Sequence, residues 1–219
     1  MTEAPRIVFC DFDGTITATE TFADMLKEFA PELTAKLLPL MYARKITLKA
    51  GVTQILGSIS VDKYPAIIKR TAESPIRSGL QEFLEFLKLN NVPFVVISGG
   101  LEGMVKAVLE YSREGKTLIS EVMAIHAADI DLTGTHLQVI SQWEGETELV
   151  DKVKIMSQYP AAETIAIGDS VTDINMGLQA DLVFARDRLQ AYLDKEGKTY
   201  IPWDNFFDIR DRLIEMWGS

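Results

Sequence analysis

Two pairs of aspartates and one serine–glycine string carry the chemistry that this 219-residue chain suggests. The first pair lies in Asp11-Phe12-Asp13-Gly14-Thr15, directly after an apolar run. Side chains alternate along an extended segment, so Asp11 and Asp13 share one side while Phe12 packs away. Two carboxyls so placed suit a hard cation and an anionic substrate bridged by it. The second pair lies in Gly168-Asp169-Ser170-Val171-Thr172-Asp173, where Asp169 and Asp173 stand one helical turn apart and can face one pocket. Ser98-Gly99-Gly100 adds a hydroxyl and unhindered backbone N–H groups, which suit a phosphate. Each string alone also has a bland use: Asp and Gly make turns, and Asp and Ser cap helices. An EF-hand calcium loop is excluded, because it needs Gly sixth and Glu twelfth, whereas here Gly is fourth and Phe22 twelfth. A serine-hydrolase elbow is excluded too, since no Gly stands two residues before Ser98.

The elements that must position these strings are short, β-branched and non-alternating. Arg6–Cys10, Val92–Ile97, Thr164–Ile167 and the weaker Asp181–Ala185 predict strands buried on both faces of a parallel sheet. Helical patterns lie between them, as in Gly79–Leu89, Asp151–Gln158 and Thr172–Gln179. Such alternation predicts a doubly wound, mostly parallel α/β sheet, with the ligand beyond the carboxyl ends of the strands. All three polar strings fall at that edge. The stretch from Ile16 to Arg77 differs: Phe22–Phe29, Leu33–Tyr42, Leu48–Leu56 and Tyr64–Ala72 are helical in pattern, with no buried strand. That is too much helix for one crossover, so residues 16–77 are expected to form a cap inserted after the first strand, with 1–15 and 78–219 as the core. Thr117–Val139 alternates around Asp131-Leu132-Thr133-Gly134 and predicts a hairpin.

Composition bounds the function. Hydrophobic residues make up 47% and charged residues 25%, a soluble globular balance. With 22 Lys and Arg against 32 Asp and Glu, the net charge of -10 argues against a nucleic-acid partner. Cys10 has no second cysteine to pair with and reads as a small buried residue. Met1–Arg6 shows no basic segment leading into an apolar stretch, and no apolar run reaches the roughly 18 residues of a membrane span. The expectation is a cytoplasmic protein without a membrane partner; no segment specifies an oligomeric state. His126 and His136 lack metal-ligand spacing.

Taken together and in this order, the three strings resemble the haloacid-dehalogenase superfamily of aspartate-nucleophile phosphatases, and the insertion resembles its helical-cap class. The resemblance implies a small phosphate ester as substrate and Mg2+ as cofactor. It implies Asp11 as nucleophile and Asp13 as general acid and then base. Asp11 and Asp169 would bind the metal through carboxylates and Asp13 through its backbone carbonyl. The phosphoryl group would be held by Ser98, Gly99, Phe12 and Lys152, with Asp173 ordering the metal waters or the lysine. The superfamily places a lysine before the Gly-Asp string. No Lys or Arg lies between Lys116 and Lys152, so Lys152 fills that place, with Lys154 as the alternative; a solvated helix lysine is the competing reading.

Two branches compete for the substrate. Thr19-Glu20-Thr21 looks like phosphoserine phosphatases, in which a Glu contacts the substrate ammonium. Their cap arginine has no counterpart in Val52-Thr53-Gln54-Ile55-Leu56, which leaves Arg44, Lys45 or Arg77 as substitutes for binding a carboxylate. Ile46–Val52, Ile167–Asp173, Phe184-Ala185-Arg186-Asp187 and the tail Ile201–Arg210 resemble instead the methionine-salvage phosphatases, which act on a hydroxy-keto-methylthiopentenyl phosphate. That branch is preferred, because an apolar cap suits a methylthio tail better than a zwitterion. Its Cys-rich segment is replaced here by Gln142–Leu149. Met25, Leu26, Met41 and Ile55 are pocket candidates, although helical spacing assigns each equally to the core. A phosphotransferase of the same superfamily and a phosphoryl-storing receiver domain are the alternatives; the long insertion counts against the receiver. A hinge is expected near Ile16–Ala18 and Ser74–Gly79.

Overall fold

The computed structural model describes residues 4–111, 115 and 117–218. Met1–Glu3, part of the N-terminal stretch read above for a leader, lie outside the described residues. The chain runs β1 (Ala4–Cys10), α1 (Thr21–Phe29), α2 (Pro31–Tyr42), α3 (Leu48–Leu56), α4 (Tyr64–Ala72) and α5 (Leu80–Leu89). It continues through β2 (Phe94–Leu101), α6 (Glu102–Glu110), β3 (Ala124–Asp131), β4 (Gln138–Ile140) and α7 (Lys152–Met156). The remainder is β5 (Ala161–Gly168), α8 (Ile174–Gln179), β6 (Leu182–Ala185), α9 (Asp187–Glu196), β7 (Ile201–Pro202) and α10 (Phe206–Trp217).

Among the described residues seven strands form one sheet in the order β4-β3-β2-β1-β5-β6-β7, parallel except for the β3–β4 hairpin. Strand β1 lies at the centre because nothing polar interrupts Ile7–Cys10, all at most 2% exposed. Ile7 and Phe9 join one core face, and Val8 and Cys10 the other, where α5 and α10 pack. Cys10 pairs with Val96 of β2 on one side and Ile167 of β5 on the other. The chain leaves β1 for β2 and later returns to β5, so the switch in winding direction falls at the carboxyl end of β1.

The helical insertion α1–α4 grows from that end. Its outgoing and returning linkers pair through an antiparallel bridge between Thr17 and Ile76, with Ala18 N–H donating to Pro75 O at 2.8 Å. On the far side a Ser60–His136 bridge ties it to the β3–β4 hairpin. Its buried residues Met25, Leu37, Ile55 and Ile67 belong to the same apolar cluster as Ile7 and Phe9 of the sheet. Besides its linkers, the insertion is therefore tied to the rest of the chain by this bridge and by the shared apolar cluster.

Three features were not anticipated. Strand β2 runs on through Ser98-Gly99-Gly100, with a register shift against β3 between Ile97 and Leu101, so the glycine string is a strand irregularity and not a turn. Strand β7 is only two residues long and ends in Pro202, which is tolerated because it lies at the sheet edge. Helix α7 spans five residues, shorter than the expected 151–158. Among the described residues no helix is long and apolar enough to cross a membrane.

Candidate active site

The carboxyl end of β1 delivers Asp11 into the crevice. Its N–H continues the ladder, donating to Ile167 O at 2.9 Å, so the side chain leaves the sheet at its crest. Asp11 is buried, as are Asp169, Asp173 and Lys152. Lys152 Nζ lies 2.5 Å from Asp11 Oδ1 and 2.6 Å from Asp173 Oδ1. Ligand atoms of Asp11, Asp169 and Asp173 all fall within 4.8 Å of one another.

Each member of this cluster is held differently. Asp173 is fully committed: Oδ1 accepts from Lys152, and Oδ2 accepts the N–H groups of Asp169 and Ser170, both at 3.0 Å. Asp169 Oδ1 accepts from the buried Thr15 hydroxyl at 2.8 Å. Asp11 Oδ2 is buried with no hydrogen-bond partner among the described residues. The close packing depends on two glycines. Gly14 adopts φ +84°, and a Cβ there would lie 2.7 Å from Asp169 Oδ2. At Gly168 a Cβ would meet Asp173 Cγ at 2.7 Å.

The electrostatics favour a cation. Three carboxylates and one ammonium leave two negative charges in a buried site when all are ionised. Burial, and then the Asp173 charge, raise Asp11 well above the usual carboxylate range, while Lys152 opposes the shift. The same two causes lift Asp169 to about 7. The Asp11 and Asp173 charges outweigh burial at Lys152 and raise its ammonium above the ordinary value. The unpartnered Asp11 oxygen beside Asp169, in an excess of negative charge, is the donor set a small divalent cation fits.

Asp13 stands apart from the cluster. The Thr21 hydroxyl and the Phe22 N–H, at the start of α1, donate to its carboxylate, the latter at 3.1 Å to each oxygen. Burial nonetheless raises it to about 7. The buried Ser98 Oγ accepts the Gly100 N–H at 3.0 Å, and open space lies over Gly99. Phe12 turns its ring into the core with Val8 and Cys10.

Above these groups opens a pocket of about 150 Å3. Asp11, Asp13, Gly99, Gly100 and Lys152 form its polar part, and Phe22, Leu26, Leu38, Met41, Leu48 and Val52 its apolar wall. Lys152, and not Lys154, is therefore the lysine at the site; Lys154 is exposed and reaches Gln142 O at 3.4 Å. Leu26 and Met41 line the pocket, whereas Met25 and Ile55 are buried in the core. Glu20 lines the rim. Arg44 and Arg77 are not brought to the pocket. Arg44 sits in an exposed turn at φ +54° beside a neighbouring cavity. Arg77 spends its donors on backbone carbonyls behind the Asp13 loop. Sequence reasoning missed Glu148 and Arg188, which both line the pocket. Arg188 lies 5.5 Å from the Tyr42 ring, and its charge draws down the carboxyl of Glu20, which burial raises.

The family model described as haloacid dehalogenase-like hydrolase matches residues 8–177. A 2-hydroxy-3-keto-5-methylthiopentenyl-1-phosphate phosphatase from Microcystis aeruginosa is 58% identical over 209 residues, covering 95% of this chain and 98% of the relative. One of the same name from Bacillus cereus is 30% identical over 223 residues, covering 95% and 96%. The fold is similar to that of phosphoserine phosphatase from T. onnurineus, with TM-score 0.70, 17% identity and coverage of 95% and 94%. It is also similar to a substrate-bound phosphoserine phosphatase, with TM-score 0.67, 19% identity and coverage of 97% and 99%. With a family model spanning most of its length and a relative sharing more than half of its residues, the chain belongs to the haloacid dehalogenase-like hydrolases.

Proposed function

We propose that this protein is a Mg2+-dependent phosphatase acting on 2-hydroxy-3-keto-5-methylthiopentenyl-1-phosphate by way of an aspartyl-phosphate on Asp11. The observation that carries the reading is the buried, unpartnered Asp11 oxygen, set beside Asp169 and Lys152 on the floor of a pocket whose wall is apolar. The relatives' names supply the substrate, and the Leu38, Met41 and Val52 wall suits its methylthio end.

Asp11, Asp169 and the Asp13 backbone carbonyl would hold the metal. When bound, Mg2+ offsets the repulsion between an anionic nucleophile and a phosphate ester. A carboxylate oxygen of Asp11 forms a bond to phosphorus as the bond to the ester oxygen breaks. Asp13 gives its proton to that departing oxygen, a task matched to a carboxyl lifted to about 7. Asp13 then takes a proton from water as the water oxygen attacks phosphorus, releasing phosphate and restoring Asp11. Lys152 holds Asp11 in line and contributes positive charge to the phosphoryl oxygens, which Ser98 and the Gly99 N–H also bind. Asp173 fixes Lys152 in turn. A phosphorylated metabolite does not cross membranes unaided, which suits a cytoplasmic setting.

Phosphoserine is the second reading, favoured by one observation: Glu20 and Arg188 offer opposite charges in the same pocket for an ammonium and a carboxylate. Steady-state phosphate release from both esters with Mg2+ decides between them. A kcat/KM at least about tenfold higher for the methylthiopentenyl ester supports the first reading. The reverse ranking overturns it, and a single turnover without further release would mark a phosphoryl-storing domain.

A further inference from the structure

Arg77, Phe184-Ala185-Arg186-Asp187 and the tail Ile201–Asn205 take no part in the chemistry above, yet the fold gathers them behind the loop that follows Asp11. Arg77 lies on the linker returning from the helical insertion, where its own N–H donates to Ile16 O at 2.9 Å. Its side chain turns to the loop. Nε donates to Thr15 O at 2.9 Å, and Nη2 to Gly14 O at 2.5 Å and Thr17 O at 3.5 Å. Nη1 reaches Asp204 O at 3.4 Å, a carbonyl that Arg186 Nη1 also contacts at 2.8 Å. The Arg77 and Arg186 guanidinium carbons lie 5.4 Å and 5.2 Å from the centroid of the buried Trp203 ring. The Phe206 N–H closes the assembly onto the same linker by donating to Ser78 O at 2.9 Å.

The loop needs such a grip. Gly14 is left-handed, so the carbonyls around it have no helix or sheet ladder to enter, and buried carbonyls require donors. A planar guanidinium serves several carbonyls at fixed angles, which an ammonium cannot do. The gripped residues flank the chemistry. Asp13 directly precedes Gly14, and the Thr15 hydroxyl holds Asp169.

We propose that Arg77 is a positioning residue: by binding the Gly14 and Thr15 carbonyls it fixes both the Asp13 carboxyl and the Thr15–Asp169 hydrogen bond, with Trp203 and Arg186 as its support. This deepens the reading above and rests on Asp13 acting as the acid. The test compares wild type, Arg77→Met, Arg77→Lys and Asp13→Asn with Mg2+ on two esters. The leaving group of p-nitrophenyl phosphate departs without a proton, whereas that of pentyl phosphate requires one. Arg77→Met should lower kcat/KM on pentyl phosphate by about 10- to 100-fold, with a clearly smaller loss of kcat/KM on p-nitrophenyl phosphate; kcat/KM ends at transfer of the phosphoryl group to Asp11, before the water attack that both esters share. Arg77→Lys should recover only part of the loss, and guanidinium ion added to Arg77→Ala should restore some kcat/KM. Should Arg77→Met and Arg77→Ala fail to fold, Arg77→Lys carries the comparison. Equal losses on both esters, or an unchanged kcat/KM per folded molecule with only a lower Tm, overturn the proposal. If Asp13→Asn itself shows no leaving-group dependence, the acid assignment falls and takes this proposal with it. If Asp13→Asn shows the dependence and the Arg77 variants do not, this proposal alone falls.

Discussion

Replacing Lys152 by Met tests the buried cluster through stability as well as activity. Lys152 is 3% exposed, and its ammonium contacts Asp11 and Asp173, themselves 3% and 0% exposed. Methionine keeps the length of the side chain and removes the charge. Breaking a buried pair by deleting one partner costs about 3–5 kcal/mol, because the remaining carboxylates lose their counter-charge. For a domain of this size that corresponds to roughly 6–20 °C in Tm. The sign of the pH dependence follows from the cause. Lys152 is what pulls Asp11 down, so its loss raises the folded-state Asp11 carboxyl further above its unfolded value. A carboxyl raised on folding favours the protonated native state, and the stability it allows is lost as pH rises through the folded-state pKa. The gap in Tm between wild type and Lys152→Met should therefore be wider at mildly alkaline pH than at mildly acidic pH. Calorimetric melts of both proteins in a chelator at the two pH values read this directly. Equal melting temperatures would show that Lys152 contributes no more than an ordinary helix lysine, and a gap that does not vary with pH would refute the coupling to Asp11.

Three further outcomes follow from the site. With pentyl phosphate, kcat/KM should fall as pH rises through about 7, because Asp13 must carry a proton to give away, and the kcat/KM profile with p-nitrophenyl phosphate should be flatter; parallel profiles would contradict the acid role. Thr15→Val removes the hydroxyl that holds Asp169, so the Mg2+ concentration for half-maximal activity should rise by about 10- to 100-fold, read from a metal titration; an unchanged half-point would contradict it. Removing divalent metal should abolish turnover, and Mg2+ at about 100 times its Kd should stabilise the fold by about 2.7 kcal/mol, seen as a higher Tm in metal than in chelator.

The parts of this site that follow from local patterning were legible in the sequence. Uninterrupted β-branched runs end at Asp11 and Gly168, and a parallel sheet places such ends on one edge whatever the loops do. The helical insertion showed itself by apolar spacing over more residues than a crossover uses. Lys152 was harder to place, since its tie to Asp11 spans 141 positions and its helix is five residues long. Glu148 sits in an irregular segment with no periodicity, and Arg188 reads as an ordinary polar residue on an amphipathic helix. Arg77, like Arg44 and Lys45, is a candidate substrate cation on charge alone, because sequence shows neither its place nor its partners. Those partners are backbone carbonyls, which any residue type supplies.

The claim beneath all of this is that phosphorus becomes bonded to Asp11 during turnover. Mixing the enzyme with Mg2+ and excess substrate, quenching in cold acid within one turnover and mapping peptides by mass spectrometry measures it. The mass of one phosphoryl group on the peptide holding Asp11, lost on mild alkaline treatment and missing from Asp11→Asn, is the predicted result. Phosphate release with no phosphorylated peptide at any time, or with the group on another residue, would contradict it.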